Sequence, residues 1–352
     1  MLNMKERRDF IKKSLLGATA VVFKDLPFSA SSYAAGFETK ASAHDKLNRL
    51  PGGLWSVMLT PFLDNKDVDT AGLKRLTEFY IQSGASGLFA NCASSEMYSL
   101  TDAERLLIIQ TSLKAAQGKV PVVATGTFSH SIDKCADFIK QVYDTGVAAV
   151  VLITNQLADK EEDDDTLKKR TGQLLKLTGN IPLGIYECPS PYKRLLSPEL
   201  MKWLGETGRF FYHKDTSCDP EAIKLKIKAV ANTPFSFFNA DTPTALVSLK
   251  NGGAGLSPIA GNFYPELYVE LIKRANKPGS EKELSRLGAR LTVMDSAAGL
   301  FYPMSAKKFL QQRGLPITSV CRVSQREMRV SDQMRFAALM EMYKETLEHL
   351  QS

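Results

Sequence analysis

The chain has 352 residues, 44% of them hydrophobic and 24% charged, with a formal net charge of +7, the make-up of an ordinary globular protein with enough surface to bury one large domain. Six Lys/Arg and three Asp/Glu fall within residues 1–35, so the remaining excess is mild, and without a dense basic stripe it excludes nucleic acid as a partner. Five cysteines with no CxxC pair and four histidines without ligand spacing exclude a disulfide framework or a structural zinc site and call for neither metal nor cofactor.

Residues 1–35 read as a targeting segment. Arg7-Arg8-Asp9-Phe10-Ile11-Lys12 resembles the twin-arginine export motif. Residues 14–23 form a weakly apolar run, too short to span a bilayer of ~30 Å. Small-residue sites follow at Ser32-Tyr33-Ala34-Ala35 and Ala41-Ser42-Ala43. The expectation is export to the periplasm, with the mature protein off the membrane because no later stretch is long and apolar enough to cross one. The other reading is an amphipathic N-terminal helix of the mature chain. Residues 36–50 follow as a polar linker.

From residue 51 short apolar runs alternate with amphipathic segments. The runs cover 54–62, 84–91, 120–127, 148–154, 182–188, 209–216, 235–241 and 253–261, and most are rich in β-branched or aromatic residues, as buried parallel strands are. Residues 70–83 place Leu73, Leu76, Phe79 and Tyr80 on one helical face. Residues 102–117 open with Thr101 as N-cap and Glu104 three positions on, a capping box. The acidic run 160–165 reads as a solvated loop or a helix start. Eight strand–helix repeats over 51–278 predict an α/β fold of the (β/α)8 TIM-barrel type. The alternative is an open doubly wound sheet, weakened in its dinucleotide-binding version by the lack of a GxGxxG turn. Over 279–352 the pattern is helical only, at 282–294, 306–313 and 332–350, which predicts a C-terminal helical appendage on the barrel.

In such a barrel the reactive side chains stand where the strands end. The sixth run, Phe210-Phe211-Tyr212-His213-Lys214-Asp215-Thr216, holds a lysine in an apolar setting. Lysine is seldom fully buried without a partner or a task. A desolvated lysine has a lowered pKa, so more of it is the free amine that attacks carbonyls. On spacing alone, a lysine that reaches solvent or pairs with Asp215 is an equal reading. The fifth run ends Gly184-Ile185-Tyr186-Glu187-Cys188-Pro189, where Tyr186 is either a packed core tyrosine or a proton carrier beside an imine. The second ends Asn91-Cys92-Ala93-Ser94-Ser95-Glu96, a small-residue turn whose amides and hydroxyls suit a carboxylate.

Together these segments resemble the dihydrodipicolinate synthase/N-acetylneuraminate lyase superfamily of pyruvate-dependent class I aldolases, from about Gly53 to the C-terminal helices. Thr60-Pro61-Phe62 looks like the family's Thr-Pro-Phe at the end of strand one. Ala93-Ser94-Ser95-Glu96 with Ser99-Leu100-Thr101 and Glu104-Arg105 is similar to its Gly-Thr/Ser-Thr-Gly-Glu signature and the segment after it. Tyr186-Glu187-Cys188-Pro189 resembles Tyr-x-x-Pro, and Lys214-Asp215-Thr216-Ser217 resembles Lys-(Asp/Glu)-x-Ser; Asp241 and Gly252-Gly253-Ala254-Gly255 fall where strands seven and eight belong. The resemblance implies that Lys214 condenses with pyruvate or another 2-oxo acid, that Tyr186 shuttles the proton, and that Ser94 with the Ser94 and Ser95 amides grips the substrate carboxylate. Ser257 would line the same pocket, and Glu96 would pin the signature turn. It also implies a homo-oligomer, dimer or tetramer.

Three positions depart from the family pattern. Ala93 stands where a hydroxyl residue precedes the carboxylate-binding one. Ile153-Thr154-Asn155-Gln156-Leu157 lacks the tyrosine expected near the end of strand four, and Pro191 aligns with the arginine that takes the second substrate. The expectation is therefore a Schiff-base lyase or synthase acting on a 2-oxo acid, other than dihydrodipicolinate synthase itself. The alternatives are a dehydratase working on a 2-oxo sugar acid through the same imine, and an exported 2-oxo acid binding protein without turnover.

Overall fold

A computed structural model describes residues 49–323 and 326–351; the segment read as an export signal, 1–35, and nearly all of the linker lie outside the described residues. Each of the eight apolar runs contributes a strand: β1 Gly53–Val57, β2 Gly87–Ala90, β3 Val122–Thr125, β4 Ala149–Ile153, β5 Leu183–Tyr186, β6 Phe210–Asp215, β7 Ser236–Asn239 and β8 Gly255–Leu256. All are parallel and in chain order, and β8 returns to β1 through Gly53↔Gly255 and Leu54↔Leu256. That closure makes the fold a (β/α)8 barrel and eliminates the open sheet. The seam needs glycine: a Cβ on Gly255 would collide with the Gly53 backbone, and Gly53 itself sits at φ +127°, which side chains rarely tolerate.

The strands are shorter than the apolar runs because the runs continue into the loops that carry the site. Beyond Val57 the chain reaches Pro61, which has no N–H for a ladder, and Thr60 Oγ1 donates instead to the Ser95 carbonyl at 2.8 Å. Beyond β8, Pro258 stops the ladder in the same way.

The connecting helices are α1 Thr70–Gln82, α2 Asp102–Ala116, α3 Ile132–Asp144, α4 Asp164–Leu177, α5 Pro198–Glu206, α6 Pro220–Ala229, α7 Ala245–Lys250 and α8 Pro265–Ala275, with a single turn, Thr154–Leu157, after β4. From α1 to α6 each begins on a side-chain cap, from Asp69, Thr101, Ser131, Asp163, Ser197 and Asp219 in turn, which fixes where each loop ends. The Thr101–Glu104 capping box is present, with Glu104 Oε2 accepting from the Thr101 N–H at 2.8 Å. The acidic run is the start of α4, capped by Asp163.

Strand alternation divides the buried side chains into two layers. Trp55, Val57, Phe89, Val123, Val151, Ile153, Tyr186, Tyr212 and Phe238 fill the barrel, while Leu88, Val122, Val150, Leu152, Ile185 and Phe237 face outward into the helix layer. Trp55, Tyr212 and Phe238 lie with ring centroids 5.0–5.2 Å apart and form an aromatic plug.

Three more helices follow: α9 Glu281–Ala298, α10 Met304–Gln312 and α11 Val330–Gln351. They are tied to the barrel by polar contacts as well as by packing. Lys307 on α10 pairs with Glu96 at 2.8 Å, and Arg322 lies over the Phe62 ring at 4.7 Å. Tyr343 on α11 donates to Glu266 Oε1 at 2.6 Å. The C-terminal region thus reaches the end of the barrel where β1 and β2 finish. Among the described residues no helix is long and apolar enough to cross a membrane.

Candidate active site at the carboxyl ends of the strands

Lys214 and Asp215 are neighbours in sequence and lie on opposite faces of β6. Lys214 points into the barrel with Tyr212, only 3% exposed, and its Nζ lies 4.7 Å from the centroid of the Tyr186 ring. Tyr186 and Lys214 are register partners on β5 and β6, which sets the two side chains beside each other. The bland reading, a lysine paired with Asp215, is not what the structure has: the Asp215 carboxylate meets Lys226 on the helix side. Burial holds the Lys214 amine below its ordinary pKa, with the Cys92 and Cys188 thiols acting in the opposite direction. A neutral amine is the nucleophilic form.

Tyr186 is buried, edge-on to Phe89 at 5.7 Å. Burial pushes its phenol well above the ordinary range, and the nearby Cys188 and Cys92 thiols act in the same direction. It therefore holds its proton at neutral pH and can give it only to a strong acceptor formed next to it.

The serines divide into one that is available and two that are committed. Residues Ala93–Ser95 form a single 3-10 turn. Ser95 Oγ donates to the Met58 carbonyl at 2.6 Å and accepts from the Cys92 N–H at 3.2 Å, while the Ser95 N–H bonds the Cys92 carbonyl at 2.9 Å. Both Ser95 groups thus hold the turn, and the expected grip on a carboxylate falls to Ser94. Ser257 is committed too, bonding the Trp55 carbonyl at 2.9 Å and the Tyr212 hydroxyl at 3.1 Å, so it braces the aromatic plug. Glu96 has the pinning role expected of it. It sits in the left-handed region at φ 57°, its Oε1 meets Lys307, and its Oε2 accepts from the Arg322 and Val323 amides at 2.6 and 2.9 Å.

Reading the sequence missed two further groups. Tyr302, between α9 and α10, accepts from Asn262 Nδ2 at 2.6 Å and lies near Ser94 and Tyr186. On the other side of the strands, Glu187 and Asp215, each directly after one of the two central residues, share Lys226 from α6 at 2.5 and 2.7 Å. Glu187 also accepts from the Leu196 and Thr216 amides at 2.8 and 3.0 Å, so it clamps the loops after β5 and β6. Burial raises the Glu187 carboxyl, partly offset by Lys226. Burial pushes Asp215 up as well, but the nearness of His213 and Lys226 outweighs it and holds that carboxyl low. Glu187, His213 and Asp215 offer three potential metal-ligand atoms within 4.8 Å of one another, a grouping invisible in the spacing, and the Lys226 ammonium provides its cation.

The departures from the family pattern have structural consequences. Asn155, at the end of β4, gives its Nδ2 to the carbonyls of Cys188, Ser190 and Tyr192 at 2.7–2.9 Å, bracing the loop after β5. Arg194 donates to the carbonyls of Asp159, Glu162 and Asp163 and pairs with Asp164 at 3.1 Å, so it does not replace the arginine absent at Pro191. Lys193 Nζ bonds the Thr216 carbonyl at 2.8 Å. A surface cleft of about 360 Å³ lined by Arg274, Arg286, Arg290 and His349 shares no residue with the barrel mouth.

A closed barrel with a buried lysine beside a tyrosine can now be set against known proteins. The sequence profile of the Dihydrodipicolinate synthetase family matches residues 50–342. The chain belongs to that family. It is 27% identical over 282 residues to a 4-hydroxy-tetrahydrodipicolinate synthase of Salinibacter ruber, covering 79% of this chain and 86% of the relative. It is 25% identical over 271 residues to the Bacillus velezensis enzyme of the same name, covering 76% and 91%. Among solved structures, YagE, a prophage protein of Escherichia coli K12 crystallised with pyruvate, superposes with a TM-score of 0.75 at 20% identity over 83% of this chain and 98% of that one. Family members are lyases of the class I aldolase type, and this chain is an enzyme of that kind.

Proposed function

We propose that the protein forms a Schiff base between Lys214 and a short 2-oxo acid such as pyruvate, and makes or breaks a bond at the carbon next to the carbonyl. The observation that carries this reading is a buried lysine that has no carboxylate partner among the described residues, held 4.7 Å over the Tyr186 ring. The neutral amine adds to the keto carbon, and the carbinolamine oxygen leaves as water with a proton supplied through Tyr186. The protonated imine then takes up the electron pair released when the adjacent C–H bond breaks (condensation) or the C–C bond breaks (cleavage), giving an enamine. In cleavage the enamine is reprotonated, in condensation its carbon adds to the carbonyl of a second substrate, and hydrolysis of the imine then releases the product and the free lysine. Loss of a hydroxyl from the same enamine would make the enzyme a dehydratase, and product analysis separates the two.

The second substrate is proposed to differ from that of the dihydrodipicolinate synthases. Support comes from Ala93, from the commitment of Asn155 to the loop after β5, and from Pro191 with Arg194 turned to backbone carbonyls. The test is incubation with pyruvate and borohydride followed by mass spectrometry. A reduced adduct on Lys214 is expected, and an unlabelled Lys214 across a panel of 2-oxo acids would sink the reading. A homo-oligomeric state is proposed as well, supported by the exposed apolar Tyr98 and Leu107, and sedimentation velocity tests it. Export is proposed from residues 7–12 alone. A reporter fused behind the first 50 residues should cross the inner membrane, and changing Arg7 and Arg8 to lysine should stop it.

A further inference from the structure

The side chain of Tyr98 crosses the mouth of the barrel. Met97–Ser99 form a 3-10 turn directly after Glu96, just past Ser94 at the end of β2. From there the Tyr98 hydroxyl donates to the Ser190 carbonyl at 3.1 Å, in the loop after β5, and its oxygen lies 3.9 Å from the Cys188 thiol. β3 and β4 lie between β2 and β5 in the closed ring of strands, so Tyr98 spans their carboxyl ends. The crossing is held on three sides. The Ser190 carbonyl also accepts from Asn155 Nδ2 at 2.9 Å. Phe128, in the loop after β3, packs against the side chains that fill the barrel and meets Tyr98 edge-on, with ring centroids 6.5 Å apart. Arg105 lies 3.7 Å over the Phe128 ring and donates to the Met97 carbonyl at 2.8 and 3.2 Å, so one guanidinium fixes both the Phe128 ring and the turn that carries Tyr98.

This wall stands beside the lysine. Cys188 belongs with Tyr186 to the cluster that fills the barrel, and Tyr186 is the register partner of Lys214. Lys214 on β6 and Ser94 after β2 face each other across the ring of strands. An oxo acid joined to the first and held by the second lies along that line, with Tyr98, Phe128 and Cys188 on one flank. On the other flank the loops after β6 and β7 reach solvent at Cys218 and Pro243. The two flanks therefore differ in the room they offer to whatever the acid carries beyond its carbonyl.

We propose that Tyr98 is a specificity-determining residue: by walling the β3–β4 flank of the mouth it admits 2-oxo acids with at most one substituent on the carbon next to the carbonyl, and it directs that substituent to the open flank. The proposal rests on the imine-forming role of Lys214 and narrows the acids that can use it. A straight chain leaves by the open flank. A branched carbon sends one substituent to each flank and drives one of them against the Tyr98 ring. A methyl group too many in a walled site corresponds to roughly a 10- to 100-fold loss of affinity. A second substrate that meets the enamine carbon then approaches from the loops after β6 and β7.

The experiment uses the full chain and measures borohydride trapping with pyruvate, with straight 2-oxobutanoate and with branched 3-methyl-2-oxobutanoate. The parent should take the two straight acids and respond to the branched one only at much higher concentration. Tyr98→Ala should lower the half-saturating branched acid about 10-fold or more and leave pyruvate unchanged, a gain that a damaged fold does not produce. Tyr98→Leu, too short to reach Ser190, should shift the ratio in the same direction and decides the matter where the alanine variant does not fold. Leu107 on α2 is exposed like Tyr98 but has no bond across the mouth, and Leu107→Ala controls for effects of assembly. A parent that takes all three acids alike, an unchanged ratio of branched acid to pyruvate in the Tyr98 variants, or an equal shift in Leu107→Ala overturns the proposal. Calorimetric binding of the same acids keeps the two readings apart. In a protein that borohydride never labels, a Tyr98-dependent ratio of affinities retains the wall and rejects the imine, and a ratio indifferent to Tyr98 rejects the wall whatever Lys214 does.

Discussion

Changing Lys226 to methionine keeps most of the stem and removes the charge. Its Nζ lies 2.5 Å from Glu187 Oε1 and 2.7 Å from Asp215 Oδ2, and the residue is 1% exposed. Without it two buried carboxylates face each other at no more than about 5 Å, where like charges repel by ~3 kcal/mol at an effective dielectric constant of about 20. Removing one partner from a buried ion pair costs ~3–5 kcal/mol for the same reason, and a loss of that size is expected near neutral pH. It corresponds to a fall in Tm on the order of 5–10 °C. The loss depends on pH with a definite sign. In the variant both carboxyls have folded-state pKa values raised above their unfolded ones, so stability is retained below the unfolded values and lost as pH rises through the folded ones. Urea denaturation of parent and variant at about pH 5 and about pH 7.5 should therefore show a gap that narrows in acid. A gap under about 1 kcal/mol at the higher pH, or an equal gap at both, refutes the assignment of Lys226 as the resident counter-ion.

Lys214→Met should abolish imine trapping and yet raise Tm by a few degrees near neutrality. Burial depresses the Lys214 pKa, so below that folded value the unfolded chain holds the proton more readily and folding is opposed; the gain should vanish towards the ordinary lysine pKa, and a lower Tm would contradict it. Glu104 is held at about 2 by hydrogen bonding to Arg322. Its contribution is present above the unfolded carboxyl pKa and lost as pH falls towards 2. Glu104→Gln should lose about 0.5–1 kcal/mol at neutral pH for this partly exposed pair and nothing in acid, as read from unfolding midpoints along an acid titration. Glu96→Gln breaks a fully buried pair with Lys307 and should cost ~3–5 kcal/mol. Because Glu96 follows the turn that carries Ser94, half-saturating pyruvate should rise in the same protein.

What the sequence disclosed depended on whether a signal was local. The strands were legible because burial on both faces leaves continuous apolar runs, and helix starts such as Thr101 with Glu104 announced themselves within four residues. Run ends were less legible, since Leu59 and Phe62 are as buried as the strand before them although they lie beyond it. Lys226 left a signal that is easy to overlook. In Lys224-Leu225-Lys226-Ile227-Lys228 it looks like one of several solvated lysines, but Ile223, Lys226 and Ile227 share the buried stripe of α6, and a lysine on such a stripe needs an anion below it. Tyr302 had no local signal. It lies near Ser94 because Lys307 and Arg322 draw the C-terminal region onto Glu96 and Glu104, contacts that span more than 200 residues. The sequence placed Ser95 in the carboxylate-binding turn and Ser257 along the same pocket, and only the positions of the Met58 and Trp55 carbonyls show that their hydroxyls are committed.

The lowered pKa of the Lys214 amine goes with the outward placing of two carboxylates that are near it in sequence. Glu187 follows Tyr186 and Asp215 follows Lys214, so two carboxylates lie within a residue of the site, and either one beside Lys214 would favour its charged form. Alternation turns both outward, where a carboxylate without a counter-ion would be costly. Lys226 supplies that counter-ion from α6 and joins the two strands through it. The same bridge opposes the error to which β6 is most exposed. A slip of one residue against β5 would carry Lys214 to the helix side and bring Asp215 or His213 into the barrel, exchanging the proposed amine nucleophile for a group that cannot form an imine. Since Glu187 and Asp215 can share Lys226 only while both face outward, the pair that neutralises the outer face also holds the register in which Tyr186 stands beside Lys214.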